Sequence, residues 1–285
     1  LAKQNMHEKY FLVDDESLIN SSANMSGGAK TRYSEHFVFH FKEGNPDLFQ
    51  IFEDMKHEFT ILWNSGKDII TQNEKISEKL NEYTKTSNGN VINEPSVNDI
   101  ALYSSSMNFT IKNRAASSKA YQAGQYVSLS RIGGKQNQIW TVRNELIKQI
   151  DNAQESIYGS LNHFNIKAVS DALIRAVKRG VDVRLAVDNQ EYKSRAYTKE
   201  MTPFFVRDWK AIEGNAKKEA PVRVKFYSLS PSPRHWLLNH EKFFLIDYNN
   251  SGIGTVLLAG SYNVSKNAEH NQFDNLIVYK TPKMS

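Results

Sequence analysis

With 285 residues, 40% hydrophobic and 24% charged, the chain is long enough to bury a sizeable core and has the balance of a soluble globular protein. No apolar run approaches the roughly 20 residues that span a bilayer, which argues against a membrane-embedded enzyme, and the absence of cysteine excludes disulfides and thiolate metal sites. A net charge of +5 and a pI near 9.1 suit an anionic partner, either phospholipid headgroups or nucleic acid, although solubility alone accounts for that charge equally well. The opening Leu-Ala-Lys-Gln-Asn has no signal-peptide pattern, which tells nothing about export because this start reads as truncated; a soluble chain is expected from the composition, with secretion or a periplasmic location left open.

Residues 5 to 13 read as a buried strand carrying His7 and Lys9, and Asp14, Asp15 and Glu16 as the turn after it. Residues 17 to 22 return as a short strand into Ser22-Ala23-Asn24, Gly27 and Gly28 break the chain, and Glu35 to Phe41 form a third strand. After Pro46 the period changes. Leu48, Ile51, Phe52, Met55, Phe59 and Leu62 form a helical stripe that starts near Asp47 and stops at Gly66. Residues 66 to 138 are the least legible part: Asn73 to Lys85 fit a polar helix, and the whole is assigned as an interlobe connection.

From Ile139 the pattern is clear. Val142, Leu146, Ile150 and Ala153 share a helix face, Ser156 to Leu161 form a strand, and Ile166, Val169, Leu173 and Val177 mark a second helix stopped at Gly180. Val181, Val183, Leu185 and Val187 alternate as the next strand, so a βαβ crossover and a sheet flanked by helices are expected. Residues 189 to 220 read as an inserted charged loop holding Phe204, Phe205 and Trp209. Val222 to Tyr227 read as a strand, Pro231 and Pro233 as a loop, and residues from His240 as another strand. The fold class is therefore α/β, with residues 1–65 as part of a first lobe, 66–138 as the connection and 139–285 as the second lobe.

One unit occurs twice. His240-Glu241-Lys242-Phe243-Phe244-Leu245-Ile246-Asp247 spells H-x-K-x-x-x-x-D, and His7-Glu8-Lys9-Tyr10-Phe11-Leu12-Val13-Asp14 spells it again. A strand and a polar turn follow each copy, Ser22-Ala23-Asn24 and Gly260-Ser261-Tyr262-Asn263. An acid then lies 13 residues past each serine, Glu35 (35 − 22) and Asp274 (274 − 261). In an extended segment alternate residues share a face, so each histidine points with its lysine. Imidazole, ammonium, amide and hydroxyl together suit an oxygen-rich anion.

This pattern resembles the phospholipase D superfamily over residues 1 to 41 and 139 to 280, with two departures: Ser21 where the second copy has Gly260, and Asp274 where the first has a glutamate. The resemblance implies two pseudo-symmetric lobes, each a mixed, mostly parallel sheet flanked by helices, whose motifs meet in one site. It implies phosphodiester exchange through a covalent phosphohistidine, with no metal and no cofactor. His7 would attack and His240 would act as acid, as the family usually has it, although the sequence does not itself break that symmetry. Lys9, Lys242, Asn24 and Asn263 would clamp the phosphoryl oxygens, with Ser22 and Ser261 as supporting donors, and Glu35 and Asp274 would fix the histidine tautomers. Asp14 and Asp247, at the far ends of their strands, are expected to orient backbone or a charged neighbour. His36, His40, His57, His163, His235 and His270 show no metal-binding spacing; His163 and His235 lie near strand ends by the cleft, where an exposed loop role is the better reading.

Three functions follow from the resemblance: a phospholipase D that hydrolyses or transfers a phospholipid headgroup, a nuclease, and a binding protein with a retired site. The last is weakest because both half-sites are chemically complete. Two motifs in one chain favour lipid, since simpler nucleases of the family carry one copy and dimerise, and tyrosyl-DNA phosphodiesterases lack the aspartates held here as Asp14 and Asp247. Trp236, Leu237 and Leu238, with Phe204, Phe205 and Trp209, form a candidate apolar rim for peripheral membrane contact, with ordinary core as the equal alternative. Finally, about a hundred residues of its own lobe precede the second histidine (240 − 139) and only six precede the first. The expectation is a first lobe truncated at its N-terminus and completed by a separate N-terminal fragment held without covalent bonds.

Overall fold

The computed structural model describes residues 5–43, 47–65, 99–112, 128–132, 138–188, 201–225, 238–248 and 254–281. The first half runs through β1 (Asn5–Met6), β2 (Tyr10–Val13), β3 (Ser17–Ser21), α1 (Gly27–Thr31), β4 (Tyr33–Ser34), β5 (Phe37–Phe41) and α2 (Asp47–Ser65). Next come β6 (Ile100–Ser104), a 3-10 turn (Ser105–Asn108), β7 (Phe109–Lys112) and β8 (Ser128–Arg131). The second half holds α3 (Thr141–Asn152), β9 (Ser156–Leu161), α4 (Lys167–Lys178), β10 (Asp182–Asp188), α5 (Thr202–Lys210), β11 (Val222–Lys225), β12 (Leu238–Asn239), β13 (Lys242–Ile246), β14 (Val256–Gly260), α6 (Lys266–His270), β15 (Gln272–Phe273) and β16 (Asn275–Lys280).

The βαβ unit forms as its periodicity dictates. Val183, Leu185 and Val187 point into the core while Asp182, Arg184 and Ala186 point out, and Val169, Ala172, Leu173 and Ala176 give α4 one fully buried face. Gly180, at φ 93, supplies the left-handed residue that ends this helix. β9 and β10 pair in parallel and β10 with β11 likewise. The seven-stranded order is β11-β10-β9-β13-β14-β16-β6, with α3 and α4 packed over one face.

The first half repeats part of this plan as the three-stranded sheet β2-β3-β5. The two halves join in two ways. Leu18, Leu48, Ile51, Phe52, Met55, Leu102 and Ile277 form a second apolar cluster between them. Within the same contact the His40 ring stacks on Tyr279 (centroids 5.5 Å, 13°), its Nε2 lying 2.7 Å from the tyrosine hydroxyl. The halves also exchange short strands: β1 pairs in parallel with β15, and β12 with β4.

Several expectations are corrected. Residues 5 to 13 are not one buried strand but two, β1 and β2, in different sheets, because the chain leaves its own half to pair with β15 before returning; Phe11 and Val13 are exposed. The seven-stranded sheet is mixed, but only two of its six pairings are parallel and four are antiparallel, because the motif strand runs against β9 and is followed by up-and-down neighbours. Residues 202–210 are a helix and not a loop, with Phe205 and Trp209 buried and only Phe204 of the three exposed, so an apolar rim cannot be built from them. Within the expected connection, Ile100–Ser104 is an edge strand of the large sheet. The expected helix over 73–85, Trp236, Leu237 and His235 lie outside the described residues.

Candidate active site

Each histidine sits just past an exchanged strand. The amide of His7 donates to Phe273 O (3.1 Å) and that of His240 to Ser34 O (3.0 Å), so each is anchored in the other half. The same exchange carries the acids. Asp274 follows β15 and Glu35 follows β4, and each lands behind the opposite motif's ring. His7 Nδ1 lies 2.6 Å from Asp274 Oδ1, and His240 Nδ1 lies 2.8 and 2.9 Å from the two Glu35 oxygens. The carboxylates therefore cross over: each half-site is completed by the other.

With Nδ1–H donated to a carboxylate, Nε2 of each ring is free for chemistry. The rings face each other with centroids 6.5 Å apart at 71°, leaving room between their edges for one small tetrahedral group. Asp274 and Glu35 are almost wholly buried, and His240 more so than His7 (8% against 19% side-chain exposure). That difference matters for charge. Burial, opposed by Glu35 and reinforced by Lys242 and Lys9, holds His240 below the ordinary histidine value.

The lysines flank this gap. Lys242 Nζ donates to His240 O at 2.5 Å, and Lys9 Nζ to His7 O. Burial pulls the Lys242 ammonium down to about 7, against the pull of Glu35 and with the repulsion of Lys9, and it lowers Lys9 as well. An anion entering between them would offset both costs. The turns that bear the asparagines are also repeated. Ser26 and Ser265 cap α1 and α6 by accepting from Ala29 N and Ala268 N, and the Asn24 and Asn263 carbonyls accept from Ser26 N and Ser265 N. Asn24 is exposed. Asn263 is buried with Oδ1 unpartnered, as is Asp274 Oδ2.

Ser22 donates to Glu35 Oε2 (2.7 Å) and accepts from His36 N; Ser261 accepts from Asn275 N (3.1 Å). Both serines thus set the acid-bearing segment. Gly260 is required by closeness: a Cβ there would sit 2.3 Å from Asn275 O. In the first half Ser21 finds room, its hydroxyl donating to His36 O. Asp247, left-handed at φ 54, accepts from the backbone amides of Gln154, Glu155 and Ser156, outside the imidazole gap. Asp14 adopts the same conformation at φ 52.

Several neighbours of the site had no role in the sequence reading. Tyr33 packs against His240 (6.1 Å), over Gly28, where a Cβ would meet its ring at 2.6 Å. Glu241 and His36 pair at 2.7 Å beside the Glu35–His240 contact; their adjacency to those two residues was the available signal. Behind His7, Ser104 Oγ lies 3.2 Å from Glu8 and 2.5 Å from Glu58, and burial first, then Glu58 and Asp274, raise the Glu8 carboxyl well above its usual range. His270 packs edge-on to Trp140 and is pushed to about 4 by burial, apart from the gap. Among the described residues no group of three or more His, Cys, Asp or Glu is placed to hold a metal.

Comparison with known proteins finds a family model over the second half of the chain. Residues 146–285 match the family described as cardiolipin synthase, PLD-like domain. Among solved structures the chain is similar to a phospholipase D family member, Nuc from Salmonella typhimurium (26% identity, TM-score 0.37, 50% of this chain and 79% of that one). It is also similar to NucT from Helicobacter pylori (21%, 0.36, 48% and 76%). The phosphatidylserine synthase of Haemophilus influenzae Rd KW20 aligns at 12% identity and TM-score 0.53 over 96% of this chain, which spans 58% of that protein's length; this is a likeness of fold. No curated protein matches significantly. With the matched family covering the second motif and the first motif mirrored across the shared gap, the chain belongs to the phospholipase D superfamily.

Proposed function

We propose that this chain is a phospholipase D-type phosphodiesterase that cleaves or transfers the headgroup of a phospholipid through a phosphohistidine, without a metal. The observation that carries the reading is the pair of imidazoles 6.5 Å apart, each backed through Nδ1 by a carboxylate from the opposite half. One Nε2 attacks phosphorus and forms a P–N bond while the ester P–O bond breaks, and the other imidazolium gives its proton to the leaving oxygen. That second ring, now neutral, takes a proton from water or an acceptor alcohol, whose oxygen displaces the first histidine. Lys9, Lys242, Asn24 and Asn263 offset the charge on the non-bridging oxygens.

Burial, opposed by Glu35 and reinforced by Lys242 and Lys9, lowers His240 and so favours its neutral form. The family order has His7 attacking and His240 as acid, and acid-quenched mapping of the phosphorylated peptide decides which ring carries phosphorus. Support for lipid comes from the matched family's description and from the second motif lying in the same chain. Nucleic acid is the second reading, since a net charge of +5 suits its phosphates as it suits phospholipid headgroups.

The test is a parallel assay on phosphatidylcholine vesicles and single-stranded DNA in EDTA, with His7→Ala and His240→Ala controls. Choline release without DNA cleavage supports the proposal. DNA cleavage alone replaces it with the nuclease, and loss of all activity in EDTA overturns the metal-free chemistry.

A further inference from the structure

The small sheet repeats the motif strands of the large one, yet the same face is covered in the large sheet and, among the described residues, bare in the small one. Phe244, Ile246, Leu258, Leu276 and Val278 are each at most 2% exposed, in the core that α3 and α4 complete. Aligning the two motifs and their followers puts Phe11, Val13, Ile19, Phe37 and Phe39 at those positions. Strand register places them on one face: Phe11 opposite Ile19 and Ile19 opposite Phe39, with Val13 and Phe37 two residues along. There Phe11 is 49%, Val13 46%, Phe37 49% and Phe39 58% exposed, and Phe41 extends the patch at 63%. Such a run of aromatic side chains is uncommon on a finished surface.

Two further features match a missing neighbour. β13 is bonded to β14 on one side and β9 on the other, whereas β2 is bonded to β3 alone among the described residues. An open edge of this kind is a template for another strand. Asp247 takes three amides of the turn from α3 into β9; Asp14 holds the same left-handed conformation, and no described residue donates to its carboxylate. An acceptor shaped for a helix-to-strand turn is in place without the donors.

We propose that this face and edge dock a polypeptide segment with the plan of Thr141–Asp188: a helix, a turn whose amides bind Asp14, a strand antiparallel to β2, and a second amphipathic helix laid over the phenylalanines. A second copy pairing edge to edge through β2 supplies no helix-to-strand turn for Asp14. A lipid surface leaves the β2 amides unpaired and meets the acidic Asp14-Asp15-Glu16 turn.

The test places benzoylphenylalanine at Phe39 in the protein purified from its natural host, with a control label at exposed Phe204 in the other half. Irradiation is expected to join position 39, and not 204, to a polypeptide segment lying outside residues 5–281 whose sequenced peptide has apolar residues at helical spacing. The β2 amides are expected to exchange at least tenfold more slowly in that preparation than in the 285-residue chain alone. Asp14→Asn is expected to weaken the cross-link while leaving the urea midpoint of the 285-residue chain unchanged. Cross-linking to residues 5–281 of a second copy, to lipid, or no more strongly than from position 204 overturns the proposal. So do β2 amides equally protected in the chain alone.

Discussion

Replacing Lys242 with methionine tests the electrostatics of the site where burial is greatest. Lys242 is 2% exposed and its value falls from 10.5 to about 7, chiefly through desolvation. A lysine whose folded value lies below its unfolded value costs stability when charged. Between about pH 7 and 10.5 the unfolded chain holds the extra proton, so stability rises with pH through that window and the full cost is present below it. A shift of this size corresponds to about 4 kcal/mol near pH 7. Methionine removes that cost but leaves His240 O without its donor, a loss of about 1–3 kcal/mol. Lys242→Met is therefore expected to be about 1–3 kcal/mol more stable than the parent at pH 7, and inactive. Urea unfolding at 25 °C, read by tryptophan fluorescence from pH 6.5 to 10, checks it: the parent's midpoint should climb with pH relative to the variant's. A variant less stable at pH 7, or a difference that stays flat across the window, would refute the reasoning.

Further outcomes follow from the same geometry. Asp274→Asn, which keeps the shape but removes the charge behind His7, should lower kcat by about 10²- to 10⁴-fold with little change in KM; a loss confined to KM would argue against tautomer control. Gly260→Ala forces a Cβ against the Asn275 carbonyl and should cost about 1–3 kcal/mol in denaturant unfolding. Asp247→Ala releases the amides of Gln154, Glu155 and Ser156 and should cost about 2–4 kcal/mol. If Asp247→Ala instead removes activity with stability intact, the residue touches substrate.

The local lettering carried much of the fold. Alternation over 183–187, the stripe from Leu48 to Met55 and the stop at Gly180 were legible because a strand or helix face is set by periods of two or 3.6 residues. The α5 helix was missed because its nine residues show one buried pair, Phe205 and Trp209, among charges that also suit a loop. β6 was missed because a strand buried at the sheet edge by α2 and β16 looks like any short apolar run.

What the chain's letters determined by themselves is the inventory of chemistry, since a motif repeated with its followers fixes which side chains recur and at what spacing. What only the tertiary structure decided is partnership. That Asp274 serves His7 and Glu35 serves His240 depends on short strands crossing between halves, and that one sheet face is bare while its twin is buried depends on which helices reach it. Both are consequences of how preformed pieces dock, a sum over many distant contacts that no spacing along one segment encodes.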